Sequence, residues 1–169
     1  MIDLIKIAVD AMGGDNSPKK VIDGILFNHQ KNKNIFYKIF GNESEIQKFI
    51  YNKIDKKYYE IIHTNEVVKS TDSPLEGAKR GKNTSMWLAI QSVKDKEADI
   101  VVSAGNTGAL QVISTLNLKM IDNIDKPALS ALWPNKKAMS VVLDLGANIE
   151  CSSKNLLDFS IMGASLYTS

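Results

Sequence analysis

Between Ile100 and Leu110 the chain reads IVVSAGNTGAL. The β-branched run that closes at Ser103 is patterned as a short buried strand. Gly105 and Gly108 then bracket Asn106 and Thr107, and an apolar helical spacing resumes over Ala109 to Met120. A strand, a glycine-bearing turn and a helix in that order form one βα step of an α/β sheet.

The same alternation extends in both directions. Upstream, Ile5–Asp10 reads as a strand. A helix comes next, with Pro18 as its first residue, Ser17 as its cap, and Val21, Ile22, Ile25 and Leu26 on its apolar face. Ile35–Phe40 is a second strand, and Ile46, Phe49, Ile50 and Ile54 recur at helical spacing after it. Tyr59–His63 is a third strand, residues 64–85 read as a loop with a helical turn, and Met86–Val93 is a helix. Downstream, the strands Ala128–Leu132 and Met139–Leu143 are separated by little more than WPNKKA. A parallel crossover needs roughly a dozen residues or more, so this pair is expected to run antiparallel. A last helix covers Ser153–Tyr167. The expected fold is α/β, a mostly parallel sheet with one reversed strand and helices on both faces, with residues 1–169 forming a single domain.

Composition narrows the function classes. Apolar residues make up 44% of the 169, enough for a core, and the net charge is +2. That charge, without aromatics interleaved among basic runs, argues against nucleic acid as a partner. The single cysteine, Cys151, cannot form an internal disulfide and suits a reducing compartment. The opening MIDLIKIAVDAMGGD carries an acid at Asp3 and a polar turn by Gly13, unlike a secretory leader, and no apolar run approaches the roughly 18 residues of a spanning helix. A soluble cytoplasmic protein is expected.

Ligands of open α/β sheets bind beyond the carboxyl ends of the strands. The strand ends here lead into Asp10 to Asp15 with Gly13 and Gly14, then Gly41-Asn42-Glu43, His63 to Glu66, Ser103 to Gly108, and Asp144 to Asn148 with Gly146. Small residues allow close approach of backbone to ligand, and helix N-termini offer free N–H groups to anions. SAGNTG therefore suits an oxyanion, with Asn106 and Thr107 as added donors, although an ordinary βα turn uses the same residues as caps. The spacing is neither that of a dinucleotide fingerprint nor that of a P-loop. EGAKRGKNTS, Glu76–Ser85, places Lys79, Arg80 and Lys82 just before a helix capped by Thr84 or Ser85, a second anion-binding arrangement that also describes a solvated loop. Asp10, Asp15 and Asp144 could hold Mg²⁺, but nothing fixes a ligand count, and a structural role is the stronger reading. His29 is expected at the surface, His63 to hydrogen-bond at a strand end, Cys151 to be no nucleophile, and Trp133 to anchor a hairpin. No metal ligand set and no cofactor are expected.

Taken together, KIAVDAMGGD (Lys6–Asp15), HTNEVV (His63–Val68), KNTSM (Lys82–Met86), ADIVVSAGNTGAL (Ala98–Leu110), DKPAL (Asp125–Leu129) and VLDLGANIEC (Val142–Cys151) resemble the PlsX family of acyl carrier protein:phosphate acyltransferases, in the family's order and near its spacing. The resemblance implies a fold related to isocitrate/isopropylmalate dehydrogenases and phosphotransacetylases. It implies transfer of a fatty acyl group from acyl carrier protein to inorganic phosphate, giving acyl phosphate for phospholipid synthesis in bacteria. It also implies a homodimer and loose association with the inner membrane face. Asp10, Gly13, Gly14, Asp15, Lys82, Ser85, Gly105, Asn106, Thr107, Gly108, Asp144, Gly146 and Asn148 fall on the family's motif positions. The family's second half has no counterpart here, so the chain is expected to be the N-terminal part of a longer acyltransferase, with any membrane-contacting segments elsewhere.

Phosphate is itself a nucleophile, in keeping with the lack of a Ser/His or Cys/His arrangement. On this reading the Gly105–Gly108 turn and Lys82 bind phosphate, while Asn106 or Asn148 donates to the oxyanion. Lys79, Arg80, Lys136 and Lys137 are candidate contacts for the acidic carrier. Two alternatives stand beside it: a non-catalytic module that binds acyl carrier protein, and a nicotinamide-dependent dehydrogenase of related fold.

Overall fold

A computed structural model describes residues 4–146 and 148–169. They form two compact units, residues 1–118 and 119–169.

The first unit is built on four strands, β1 (Ile5–Asp10), β2 (Ile35–Gly41), β3 (Tyr59–His63) and β4 (Ile100–Ser103), all parallel and ordered β3-β2-β1-β4. Side chains alternate across β1, so Val9 joins one core and Ala8 another. On the Val9 face, α1 (Lys19–Lys31) and α2 (Glu43–Ile50) press Ile22, Ile25, Ile46 and Ile50 onto Ile39. On the other, α4 (Ser85–Lys94) and α5 (Thr107–Leu118) contribute Met86, Ala89, Ile90 and Ile113. Helices thus cover both faces, and the chain switches faces between β1 and β4.

The second unit holds β5 (Ser130–Pro134), β6 (Met139–Leu143) and α6 (Ser153–Thr168). The two strands pair antiparallel, with Leu132 opposite Val141. The turn between them is closed by Asn135, whose backbone N–H donates to Ala138 at 2.9 Å and whose side chain accepts from Lys137 and Ala138. The reversed strand expected within the large sheet belongs instead to this separate two-stranded ladder, and the four-stranded sheet is wholly parallel. Trp133, on β5, lies opposite Ser140 of β6 and is exposed.

Two further details differ from expectation, and a third, the helical turn expected within residues 64–85, is present. Ser17 does not cap α1: its hydroxyl donates to the Gly13 carbonyl, and Pro18 occupies the cap position with no side-chain bond. His29 is buried, its ring 4.6 Å from that of Tyr58 and edge-on to Tyr37. Burial, and secondarily the Lys33 charge, lower its pKa and favour the neutral ring. The polar segment 64–85 contains α3 (Pro74–Lys79), whose Ser73 and Glu76 form a capping box.

Candidate functional site

Four parallel strands bring Asp10, Gly41, His63 and Ser103 to one edge of the sheet, with Asp10 in register with Ser103. Asp10 is 2% exposed, and both of its oxygens are engaged. Oδ1 accepts from the Ser85 hydroxyl at 2.6 Å and from the Met12 N–H at 3.2 Å, while Oδ2 accepts from the Ser103 hydroxyl at 2.7 Å. Ser103 Oγ in turn accepts from the Gly105 N–H at 3.1 Å. One buried carboxylate therefore fastens the loop after β1, the start of α4 and the turn after β4. Ser103 opens the SAGNTG turn, but the sequence assigns it no role. Its signal is the in-register position opposite Asp10, visible only once β1 is paired with β4.

The two glycine turns touch. A Cβ on Gly13 would lie 2.6 Å from Asp10 Oδ2 and 2.8 Å from the Gly105 nitrogen, so no side chain fits without separating the loops. Gly14 and Asp15 continue along the exposed rim of this contact.

Asn106 holds the turn at its other end. Its Oδ1 accepts from the Ala109 N–H at 3.0 Å, capping α5, and its Nδ2 donates to the Asp72 carbonyl at 2.7 Å. Contacts of 3.4 and 3.5 Å to the Ser70 and Lys69 carbonyls are too long to engage the second amide hydrogen firmly. Among the described residues no acceptor faces the backbone N–H groups of Thr107 and Gly108, the first of α5. Thr84 caps α4 by accepting from the Trp87 N–H at 3.3 Å. The Lys79 and Lys82 side chains are exposed in the approach to that helix. Arg80 is committed to Asp72 through a two-pronged ion pair, and its hydrogen bonds hold the Asp72 pKa down at about 2. His63 Nδ1 accepts from the Glu43 N–H at 3.1 Å at the start of α2.

The second unit contains Asp144, Gly146 and Asn148 in the turn after β6. Asp144 has φ +60° and accepts from Asn148 Nδ2 at 3.0 Å and from the Cys151 thiol at 3.3 Å. Asn148 Nδ2 also reaches the Pro127 carbonyl at 2.9 Å, so both of its amide hydrogens are spent. The bonds from Asn148 and then Cys151 lower the Asp144 pKa, while desolvation and then Asp144 raise that of the thiol. Cys151 therefore stays protonated, a poor nucleophile. Lys136 and Lys137 are exposed in the β5–β6 turn. Within the first unit the fold gathers Asp10, Gly13, Gly14, Ser85 and Gly105 around one hub, and Asn106, Thr107 and Gly108 continue from it in the same turn. Asp144, Gly146, Asn148 and these two lysines belong to the second unit. Among the described residues no group of three or more His, Cys, Asp or Glu side chains is arranged to hold a metal ion, and no helix is long and apolar enough to cross a membrane.

A family model described as "Fatty acid synthesis protein" matches residues 5–169. A protein of Pelagibacter ubique named phosphate acyltransferase is 74% identical over 169 residues, all of this chain and 50% of the relative. Proteins of the same name from Bradyrhizobium diazoefficiens and Paramagnetospirillum magneticum are 40% and 39% identical, over 98% and 94% of this chain and 48% and 46% of their own lengths. The chain thus spans about half the length of the curated relatives it matches. These likenesses favour neither the dehydrogenase nor the non-catalytic alternative.

Proposed function

The chain belongs to the fatty acid synthesis protein family, the PlsX family, and from that premise we propose that it carries the phosphate-holding loops of a phosphate acyltransferase. In the proposed reaction a phosphate oxygen attacks the thioester carbonyl of a fatty acyl carrier protein. A C–O bond forms, the C–S bond breaks, the carrier thiol takes up a proton and acyl phosphate leaves. No side-chain nucleophile is needed, and the protein's task is to position phosphate and stabilise the tetrahedral oxyanion.

The observation that carries this reading is the pair of N–H groups, Thr107 and Gly108, that meet no acceptor among the described residues, at the positive end of α5 and held in place by the Asp10 hub. Phosphate would lie on these amides with Lys82 as a mobile cation. Asn106 suits the oxyanion better than Asn148, because one of its amide hydrogens is only weakly held whereas both of Asn148's are taken. Gly13, Gly14 and Asp15 would form the rim, and Ser85 would act by holding Asp10. Asp144, Gly146 and Asn148, on the second unit, would be substrate-binding residues of the turn after β6. Lys79, Lys136 and Lys137 are available to an acidic carrier, while Arg80 is already paired. A homodimer, a cytoplasmic location and loose contact with the inner membrane face complete the proposal; light scattering and vesicle flotation check the first and last.

The deciding experiment incubates palmitoyl carrier protein with phosphate and the protein, and monitors acyl phosphate by trapping with hydroxylamine. Asn106→Ala should lose about 3 kcal/mol of barrier stabilisation, roughly a hundredfold in kcat. Turnover unchanged by Asn106→Ala removes that residue from the mechanism. Failure of the unaltered protein to form acyl phosphate with carrier and phosphate at saturation removes the proposed activity.

A further inference from the structure

The Asn106 amide is held by a turn that is itself held. Between β3 and α4 the chain forms the turn Lys69–Asp72 and then α3, which lies against the first turn of α5. The packing there is close: a Cβ on Gly108 would meet Pro74 Cγ at 2.6 Å, and one on Gly77 would meet Ala109 Cβ at 2.7 Å. Within the turn, Lys69 and Asp72 are bonded in both directions. The Asp72 N–H donates to the Lys69 carbonyl at 3.2 Å, and the Lys69 N–H donates to Asp72 Oδ2 at 2.8 Å. The Asp72 carbonyl accepts from Asn106 Nδ2 at 2.7 Å, and the two longer contacts of that amide are to carbonyls of the same turn.

Arg80 closes the arrangement. It ends α3, where its N–H donates to the Glu76 carbonyl at 3.0 Å, and its fork reaches back along the helix to both carboxylate oxygens of Asp72. A two-pronged guanidinium–carboxylate pair fixes orientation as well as distance, which a lysine at the same place would not do. The Asp72 side chain is only 8% exposed, so water competes little for that carboxylate. We infer that Arg80 and Asp72 are positioning residues for acyl transfer, acting through Asn106: their pair fixes the turn whose carbonyl takes one Asn106 amide hydrogen, and so aims the other. The inference rests on the acyltransferase reading, in which Asn106 faces the oxyanion. It gives a part in turnover to a cation that is spent on a neighbour instead of on phosphate or carrier.

The test compares acyl phosphate formation by the unaltered protein, Arg80→Met, Asp72→Asn, Asn106→Ala and the Arg80→Met/Asn106→Ala double variant. A misaimed group can cost up to about a hundredfold in rate, and Asn106→Ala sets that ceiling here. Arg80→Met should therefore lower kcat about tenfold and leave the KM for phosphate within about twofold. Asp72→Asn, which keeps the Asp72 carbonyl and removes the charge that Arg80 grips, should act in the same direction. In the Asn106→Ala background the further effect of Arg80→Met should fall below about twofold, because the group it aims is gone. A merely structural role would instead lower kcat equally in both backgrounds, and that result overturns the inference. So does a kcat within about twofold of the unaltered protein in both single variants. A second measurement does not need turnover. With nitrogen-15-labelled asparagine, the Asn106 side-chain amide signals, identified by their loss in Asn106→Ala, should shift in Arg80→Met while those of Asn148 stay. Unmoved Asn106 signals overturn the inference whatever the kinetics. Moved signals in a protein that forms no acyl phosphate even when unaltered would keep the Arg80–Asp72–Asn106 linkage and count against the acyltransferase reading.

Discussion

Replacing Asp10 tests the hub most directly. Its carboxylate is fully enclosed and accepts two hydroxyl hydrogen bonds, from Ser85 and Ser103, plus the Met12 N–H. Hydrogen bonds to a charged group contribute about 1.5–3 kcal/mol each, and Asp10→Ala would strand the buried Ser85 hydroxyl and the half-buried Ser103 hydroxyl and open a small void, so a loss of about 3–5 kcal/mol is expected. Asp10→Asn is milder. Its oxygen can keep Ser85 and Met12, but its amide must donate to Ser103 Oγ, which already accepts from Gly105. Ser103 then loses its own acceptor, at about 1–2 kcal/mol. Urea unfolding monitored by the fluorescence of Trp87 on α4, with Trp133→Phe as background, reads the first unit alone. The reasoning is refuted if Asp10→Ala loses less than about 1 kcal/mol, or if the asparagine variant is as damaged as the alanine variant.

Other consequences are simpler. Gly13→Ala should destabilise by about 1–3 kcal/mol in the same urea experiment, because its new methyl group meets a carboxylate oxygen and the Gly105 backbone rather than a yielding side chain. Asp72, with its pKa lowered from 3.8 to about 2 by Arg80, stabilises the fold fully above its unfolded value and loses that contribution as pH falls from near 3.8 through about 2; Arg80→Met should remove this part of the acid-unfolding profile. The Cys151 thiol, raised by desolvation and by Asp144, should alkylate slowly at pH near 8, and Asp144→Asn should speed its reaction with iodoacetamide.

The fold is legible in the sequence where its cause is local. Short apolar, β-branched runs locate six strands, β5 lying two residues beyond the expected Ala128–Leu132, and the short link around Asn135 dictates the antiparallel pairing of β5 with β6. α3 escapes a periodicity reading because six residues carry none, yet Ser73-Pro74-Leu75-Glu76 spells its capping box. The hidden part depends on distant partners. Nothing in the sequence says that Asp10 meets Ser85 and Ser103, that Arg80 is taken by Asp72, or that Ser17 turns back to Gly13 instead of capping. His29 at the end of a lysine-flanked helix looks like a surface residue; only the fold brings Tyr58 over its ring.

A buried carboxylate beside the proposed phosphate site needs a physical account. Two unit charges 4 Å apart repel by about 4 kcal/mol at an effective dielectric of roughly 20, enough to weaken phosphate binding severely. Asp10 escapes this because its charge faces inward, solvated by two hydroxyls and an N–H, and because those same bonds aim Ser103 at Gly105 and set the turn that opens α5. If charge alone mattered, Asp10→Asn would tighten phosphate binding by removing the repulsion. If the hub positions the amides, the same substitution loosens the turn and phosphate binding weakens despite the lost negative charge. Calorimetric titration of folded Asp10→Asn with phosphate separates the two by sign: a raised Kd is expected, and a lowered one would show that Asp10 is a passive charge and not the part that shapes the site.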